Sequence, residues 1–547
     1  LRCRYGDFDG NFDGGFHGDF YGDFYGDFYG DFALTQTQQT CQCNIVNTTS
    51  QRQPCQCNIA TPLALRTPLQ EQPKATERHC KSHRKLHCEL NRNRTTTKVL
   101  PLMSPLSPIA GKVFFGTAKR ALILAACFCW GELSPAVNAQ DPAAATTLGA
   151  TRFRGDDGTG FFPKCRVAVP WKDEAVTKLD LPGIGNGSPV IWSSQQQPRR
   201  AYLLSANPEN ATRYVIAVDL PTDAAAPSNI AWTKEFPSSK HKLHQFSTYA
   251  SSTPAVDQDG IYVAWADPEH VVVKHFSHDG QEKWSRDFGR YVSQHGFATS
   301  PILVDDKVIL LDSQDAEELE PGVAPGEDRM LALSRTTGET IWEKKLPTKR
   351  VCYGLPNVRV LPDGKKELVC ATTALGIFGM DPQTGEISWN HDCFKQRVCS
   401  STVLAGPLAI ATHGSGGGRD NLLVAYDMES KQERFRIQRA APYVPTPVAA
   451  NDLLFLWSDA GVVSCVRLSD GTVRWSERVG GNFFSSPILI GDRLVNVSDT
   501  GEVTVLQASE AYRKLATIST DAAVRSTLVP ADDILLLRTY EQLWIIR

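Results

Sequence analysis

A glycine stands four residues before a tryptophan at four places in this chain: "SHDGQEKW" ending at Trp284, "TTGETIW" at Trp342, "QTGEISW" at Trp389 and "SDGTVRW" at Trp475. A turn-plus-indole unit that returns at a steady interval constrains the fold strongly, because it marks one supersecondary unit copied many times. A second landmark keeps step with it, a run of small residues leading into a short strand. It reads "GNGSPVIW" (Pro189), "ASSTPAV" (Pro254), "FATSPILV" (Pro301), "YGLPNVRV" (Pro356), "CSSTVLAG" (Thr402), "YVPTPVAA" (Pro447), "FFSSPILI" (Pro487) and "VRSTLVPA" (Thr527), eight copies in all. The last four intervals are 46, 45, 40 and 40 residues, and the first three, 65, 47 and 55, carry loop insertions. The tryptophan slot lies 12 to 14 residues ahead of the next landmark, whether Trp342, Trp389, Phe435, Trp475 or Leu515 fills it.

Each repeat reads as β-structure. Stretches such as "PILVDDKVILLDS" and "PILIGDRLVNVSD" give a short strand, an Asp/Gly turn and a second alternating strand. A third strand, a Thr-Gly or Asp-Gly turn and the tryptophan-bearing fourth strand follow. Eight such four-stranded units predict an all-β, eight-bladed β-propeller over residues 175–547, preceded by a lead-in segment over 140–174. The eighth repeat supplies only three strands before Arg547. "AVTKLDLPG" (Ala175 to Gly183) is in register to add the fourth and close the ring. The aromatic residues of the slot, with Trp232, Trp284, Trp342, Trp389, Phe435 and Trp475 as its members, are expected to dock neighbouring blades as core.

The sequence before residue 140 has a different character. Residues 5–32 repeat Gly-Asp-Phe-Tyr units without an aliphatic residue, and residues 33–102 stay polar, so 1–102 is expected to be disordered and foreign to the natural protein. Two "CQCN" motifs near His79, Cys80, His83, His87 and Cys88 lack the spacing of zinc modules. From Met103 to Ala139 come basic residues, the apolar run Ala121–Trp130 and Val137-Asn138-Ala139, the pattern of a signal peptide cleaved after Ala139. The alternative is lipoprotein processing at Cys127. The apolar run is too short to span a bilayer, so the expected product is a periplasmic or secreted monomer with no transmembrane segment. Its six cysteines, Cys165, Cys352, Cys370, Cys393, Cys399 and Cys465, leave disulfides and free thiols equally open.

The "TGETIW", "TGEISW" and "DGTVRW" motifs resemble the tryptophan-docking repeats of the PQQ-like (quinoprotein alcohol dehydrogenase-like) eight-bladed propellers. "FRGDDGTG" (Phe153 to Gly160) is similar to the start of exported bacterial members. The resemblance covers about residues 152–547 and implies a fold shared by dehydrogenases and envelope assembly scaffolds. The dehydrogenases of this group carry a vicinal Cys-Cys ring, a calcium ligand set and an aspartate base beside the quinone. This chain has no Cys-Cys pair and no Cys-x-x-Cys-His haem motif. "GIGNGSP" runs into a strand, "GSGGGRD" lacks the Lys-Ser/Thr of a phosphate loop, and no kinase or nucleophile-elbow motif is present.

The reading is therefore an exported, non-catalytic binding or protein-docking scaffold with no cofactor. The alternatives are a dehydrogenase using pyrroloquinoline quinone with Ca2+ and an outer-membrane assembly scaffold. A net charge of −3 argues against nucleic acid. The connections between blades are locally basic, however, and place His241, His244, Arg290, His295, Arg350 and Arg397 as candidates around a funnel for an anionic glycan or an envelope protein. The long acidic connection from Asp312 to Asp328 opens on the same face and competes with that reading.

Overall fold

The computed structural model describes residues 150–194, 197–223 and 226–547. The low-complexity region, the signal-peptide pattern and Cys127 lie outside the described residues. Eight four-stranded antiparallel sheets follow one another, from Val190–Trp192, Arg200–Ala206, Arg213–Asp219 and Asn229–Phe236 in blade 1 to Val529–Ala531, Ile534–Arg538 and Gln542–Ile546 in blade 8. The strand Val176–Asp180 completes blade 8, pairing antiparallel with its third strand through Thr177↔Ile545 and Leu179↔Leu543. Closure by the N-terminal strand is as the repeat register predicts.

The strands are nearly continuous apolar runs because each blade is buried on both faces. Alternation by two sends neighbouring residues to opposite neighbours. In "LLFLW" of blade 6, Leu454 and Leu456 pack with Ile410 and Leu423 of blade 5, while Phe455 and Trp457 pack with Leu489 and Leu494 of blade 7. Apolar clusters of this kind run round the circle, the last joining Leu536 and Ile545 of blade 8 to Ile191 and Leu203 of blade 1.

The opening motif joins the blades at their outer ends. Trp232, Trp284 and Trp342 each donate the indole N–H to a carbonyl of the next blade, those of His278, Arg335 and Pro382, at 2.8–3.0 Å. The motif glycine of that next blade receives the ring. A Cβ on Gly280, Gly338 or Gly385 would stand 2.9, 2.6 and 2.7 Å from the indoles of Trp232, Trp284 and Trp342. Each of these glycines also has φ between 73° and 83°. The glycine thus turns its own chain and serves as the platform for the preceding blade's tryptophan. Phe435 sits on Gly471 in the same way. The seam between blades 4 and 5 departs from the rule: Lys431 takes the glycine's place with φ 56°, and Trp389 bonds Glu367 of its own blade and stacks on Tyr426.

Candidate ligand site on the propeller axis

The small residues of the second landmark face the axis and hold the inner ends of the blades. The backbone N–H of each donates to the hydroxyl of its counterpart one blade on: Ser188 to Thr253, Thr253 to Ser300, Ser401 to Thr446, Thr446 to Ser486, Ser486 to Thr527 and Thr527 back to Ser188, at 2.9–3.0 Å. Leu355 donates to Ser401 at 3.1 Å but has no hydroxyl to offer Ser300, so the circle has one gap. Thr527 occupies the ring position that Ser486 holds in blade 7. The residue of blade 8 equivalent to Pro487 is therefore Leu528, one place beyond the landmark read from the sequence, because the hydroxyl and not the proline defines the register.

Below this ring the lead-in segment threads the channel. Ala150 and Thr151 accept from the inner-strand N–H groups of Ile191 and Val256, and Gly160 accepts from Leu489. Phe161–Phe162 adds a short parallel strand to blade 7. Arg154 gives its guanidinium to the carbonyls of Thr446, Pro447, Pro487 and Thr159 at 2.7–2.9 Å. Arg152 bonds Asn357 and Pro356. Burial lowers these arginines to about 9 and about 10, which leaves both charged at neutral pH. Only glycine fits at Gly158, where a Cβ would stand 2.3 Å from Arg152 Nη2 and Asn357 Oδ1.

The result is a dead-end cavity of about 560 Å3 on the axis, floored by Phe153 and walled by ring residues of every blade. The connection from blade 1 to blade 2 folds across its mouth. His244 stacks on His295 at 4.7 Å, and Phe246 packs on Phe484 at 5.0 Å. Arg525 lies 4.8 Å over both phenylalanines and donates to the Phe246 carbonyl, which Asn186 Nδ2 also reaches. Burial and the nearby Arg397 and His244 hold the His295 imidazole at about 4, and burial with Arg397 and Arg525 lowers His244. Three polar atoms of cavity-lining residues have no hydrogen-bond partner: Asn186 Oδ1, His295 Nδ1 and Arg525 Nε.

The candidates named from sequence separate into two groups. His244 and His295 line the cavity, with Arg397 behind them, bonded to the Val351 carbonyl and to Asp315 and 3.5 Å from His295 Nε2. His241 and Arg290 line a smaller hollow of about 260 Å3 to one side, and Arg350 is paired with Glu318. The acidic connection pairs with two of these six candidates and with Lys242, through Arg350–Glu318, Arg397–Asp315 and Lys242–Glu320. Sequence reasoning missed the hydroxyl ring, the threaded segment and the Phe246–Arg525–Phe484 stack. The ring had a signal, a Ser or Thr ahead of the strand in seven of eight landmarks.

The six cysteines among the described residues are free thiols, and burial pushes Cys399, on the cavity wall, up to about 12. Among the described residues no three His, Cys, Asp or Glu side chains are grouped to hold a metal, and no helix is long and apolar enough to cross a membrane.

The family model described as outer membrane protein assembly factor BamB matches residues 211–477 and 419–544. The chain belongs to that PQQ-like propeller family. Among solved structures, the fold matches quinohemoprotein alcohol dehydrogenase from Comamonas testosteroni at TM-score 0.51, with 11% identity over 74% of this chain and 81% of that one. BamB from Moraxella catarrhalis gives 0.44, 14%, 68% and 97%. Quinohemoprotein alcohol dehydrogenase ADHIIG from Pseudomonas putida HK5 gives 0.49, 12%, 73% and 80%. No curated protein matches the chain in sequence.

Proposed function

We propose that this propeller is an exported binding module without catalysis of its own, and that its ligand seats in the axial cavity. The observation that carries the reading is an aromatic lid, Phe246 and Phe484 with Arg525 over both rings, on a cavity closed below by the chain's own lead-in segment. Asn186, His295 and Arg525 give its wall a polar side, while Phe153, Phe246 and Phe484 supply apolar surface. Export is supported by the signal-peptide pattern before Ala139. Asp459 and Asp499 are carboxylates on the cavity wall, and Asp459 already accepts from the N–H groups of Tyr443 and Val444, which favours the reading without a calcium-held quinone.

A second reading, docking of envelope proteins, rests on the family's description as an assembly factor. Thermal-shift titration of the purified protein separates these readings. Small hydroxylated and anionic compounds are screened beside pyrroloquinoline quinone with Ca2+. The expected result is stabilisation by a compound of the first group that Ala298→Trp abolishes by filling the cavity, with no quinone-linked shift. A calcium-dependent quinone shift would overturn the non-catalytic reading, and a ligand shift that survives Ala298→Trp would place the ligand off the axis.

A further inference from the structure

The acidic connection of blade 3 lies on the basic connections of its neighbours like a bound peptide. Its side chains pair Glu318 with Arg350 and Glu320 with Lys242. Its main chain is recognised as well. The N–H groups of Ala316 and Glu317 donate to the Lys349 carbonyl at 2.8 and 3.0 Å, and the carbonyls of Ala324 and Pro325 accept from Arg290 at 2.5 and 3.2 Å. Between these anchors the segment does not pack flush. Leu319, Glu320 and Val323 roof the hollow of about 260 Å3, whose walls include Pro268, Tyr291 and Phe297, and Val323 is 40% exposed.

We infer that residues 316–327 are an internal competitor, occupying a surface whose external partner is an extended acidic peptide segment of another protein. Three features set this occupant apart from other anions. Half of the anchors address consecutive main-chain N–H and C=O groups, a spacing set by a peptide backbone and not by a sulfated glycan. Arg290 is held by carbonyls alone, so its charge stays available to a partner carboxylate. The hollow of about 260 Å3 beneath the insert has the apolar walls Pro268, Tyr291 and Phe297 for a partner's side chain. The insert's hold is also weak enough to displace: Glu318 and Glu320 are 58% and 60% exposed, and solvent screens pairs of this kind. The competitor's advantage is its tether, which supplies a high effective concentration at no gain in contacts. This surface adjoins the axial cavity at Gly296, but its anchors Lys242, Arg290 and Arg350 do not line that cavity, so the inference does not rest on the ligand proposed there.

The ends of the insert permit a clean test. Gly326 N–H donates to the Asp315 carbonyl at 2.9 Å, so a two-residue Asn-Gly turn can replace Ala316–Pro325 and leave Asp315 and Asp328 in place. The probe is a synthetic peptide of the insert's own sequence, AEELEPGVAPGE, titrated by fluorescence anisotropy against the full chain. Binding is expected to be about tenfold or more tighter in the trimmed variant than in the parent, to weaken with salt, and to be lost when Arg350→Glu is added. The double variant Glu318→Gln/Glu320→Gln, at exposed positions that do not affect folding, is expected to gain affinity to a smaller degree. Equal affinity of parent, trimmed and double variants would overturn the inference. So would heparin binding that is as tight in the parent as in the trimmed protein and that displaces the peptide, since it would assign the surface to polyanions at large.

Discussion

The two ends of each blade are held by opposite means. At the rim of blades 1 to 3, an indole rests on a glycine of the next blade and donates one hydrogen bond, and Phe435 of blade 5 rests on Gly471. On the axis, hydroxyls relay from blade to blade, and a segment from outside the repeats crosses beneath them. The rim tolerates an exception: between blades 4 and 5 Trp389 turns to its own blade, and apolar packing of Val369 and Ile377 against Ala409 and Val424 holds the seam. The axis is more demanding, because the carbonyls and N–H groups turned inward there are out of reach of water and must be satisfied within the protein. The rim is therefore expected to fail seam by seam, whereas a lesion on the axis reaches several blades at once.

The largest effect is expected at Arg154. Its removal leaves the carbonyls of Thr446, Pro447 and Pro487 unpaired in a buried place, so Arg154→Ala should cost about 3–5 kcal/mol, read as a lower urea midpoint. Arg152→Ala, which frees only Asn357 and Pro356, should cost less. A rim lesion as costly as Arg154→Ala would break the comparison.

Next comes the rim itself, where equivalent positions should respond with opposite sign. At Gly338 a side chain meets Trp284 at 2.6 Å and must hold φ 74°, so Gly338→Val should cost about 2 kcal/mol. At Lys431 the residue already sits at φ 56° with no indole on it, so Lys431→Gly should raise stability by up to about 1 kcal/mol. Denaturant titration of the two variants checks both the sign and the order.

The same contrast explains what could be read in the sequence. The rim contact is periodic: Gly280, Gly338, Gly385 and Gly471 recur with the aromatic slot, and repetition exposes them without knowledge of any neighbour. Ring closure by Val176–Asp180 was legible for the same reason, since it completes a count of strands. The threaded segment carries no period. Nothing local to Arg152 or Arg154 shows that their partners lie near positions 357, 446 and 487, about 200 to 330 residues away. The basic residues were legible as a group, but their state was not. Whether Arg350 faces a ligand or Glu318 depends on how the 312–328 connection folds back, which sequence leaves open.

The smallest effect is the sharpest test of whether ring and threaded segment form one unit. Thr446→Val keeps shape and removes the hydroxyl that the Ser401 N–H uses, an expected loss of about 1–2 kcal/mol. Thr446 also presents its carbonyl to Arg154. A double-mutant cycle of Thr446→Val with Arg154→Ala should therefore depart from additivity by about 0.5 kcal/mol or more, because each change loosens the strand that the other leaves unpaired. The cycle of Thr446→Val with Gly338→Val, on different blades and at opposite ends, should be additive within about 0.5 kcal/mol. Additivity in both cycles would mean that the lead-in segment only fills the channel and the hydroxyl ring holds the blades without it.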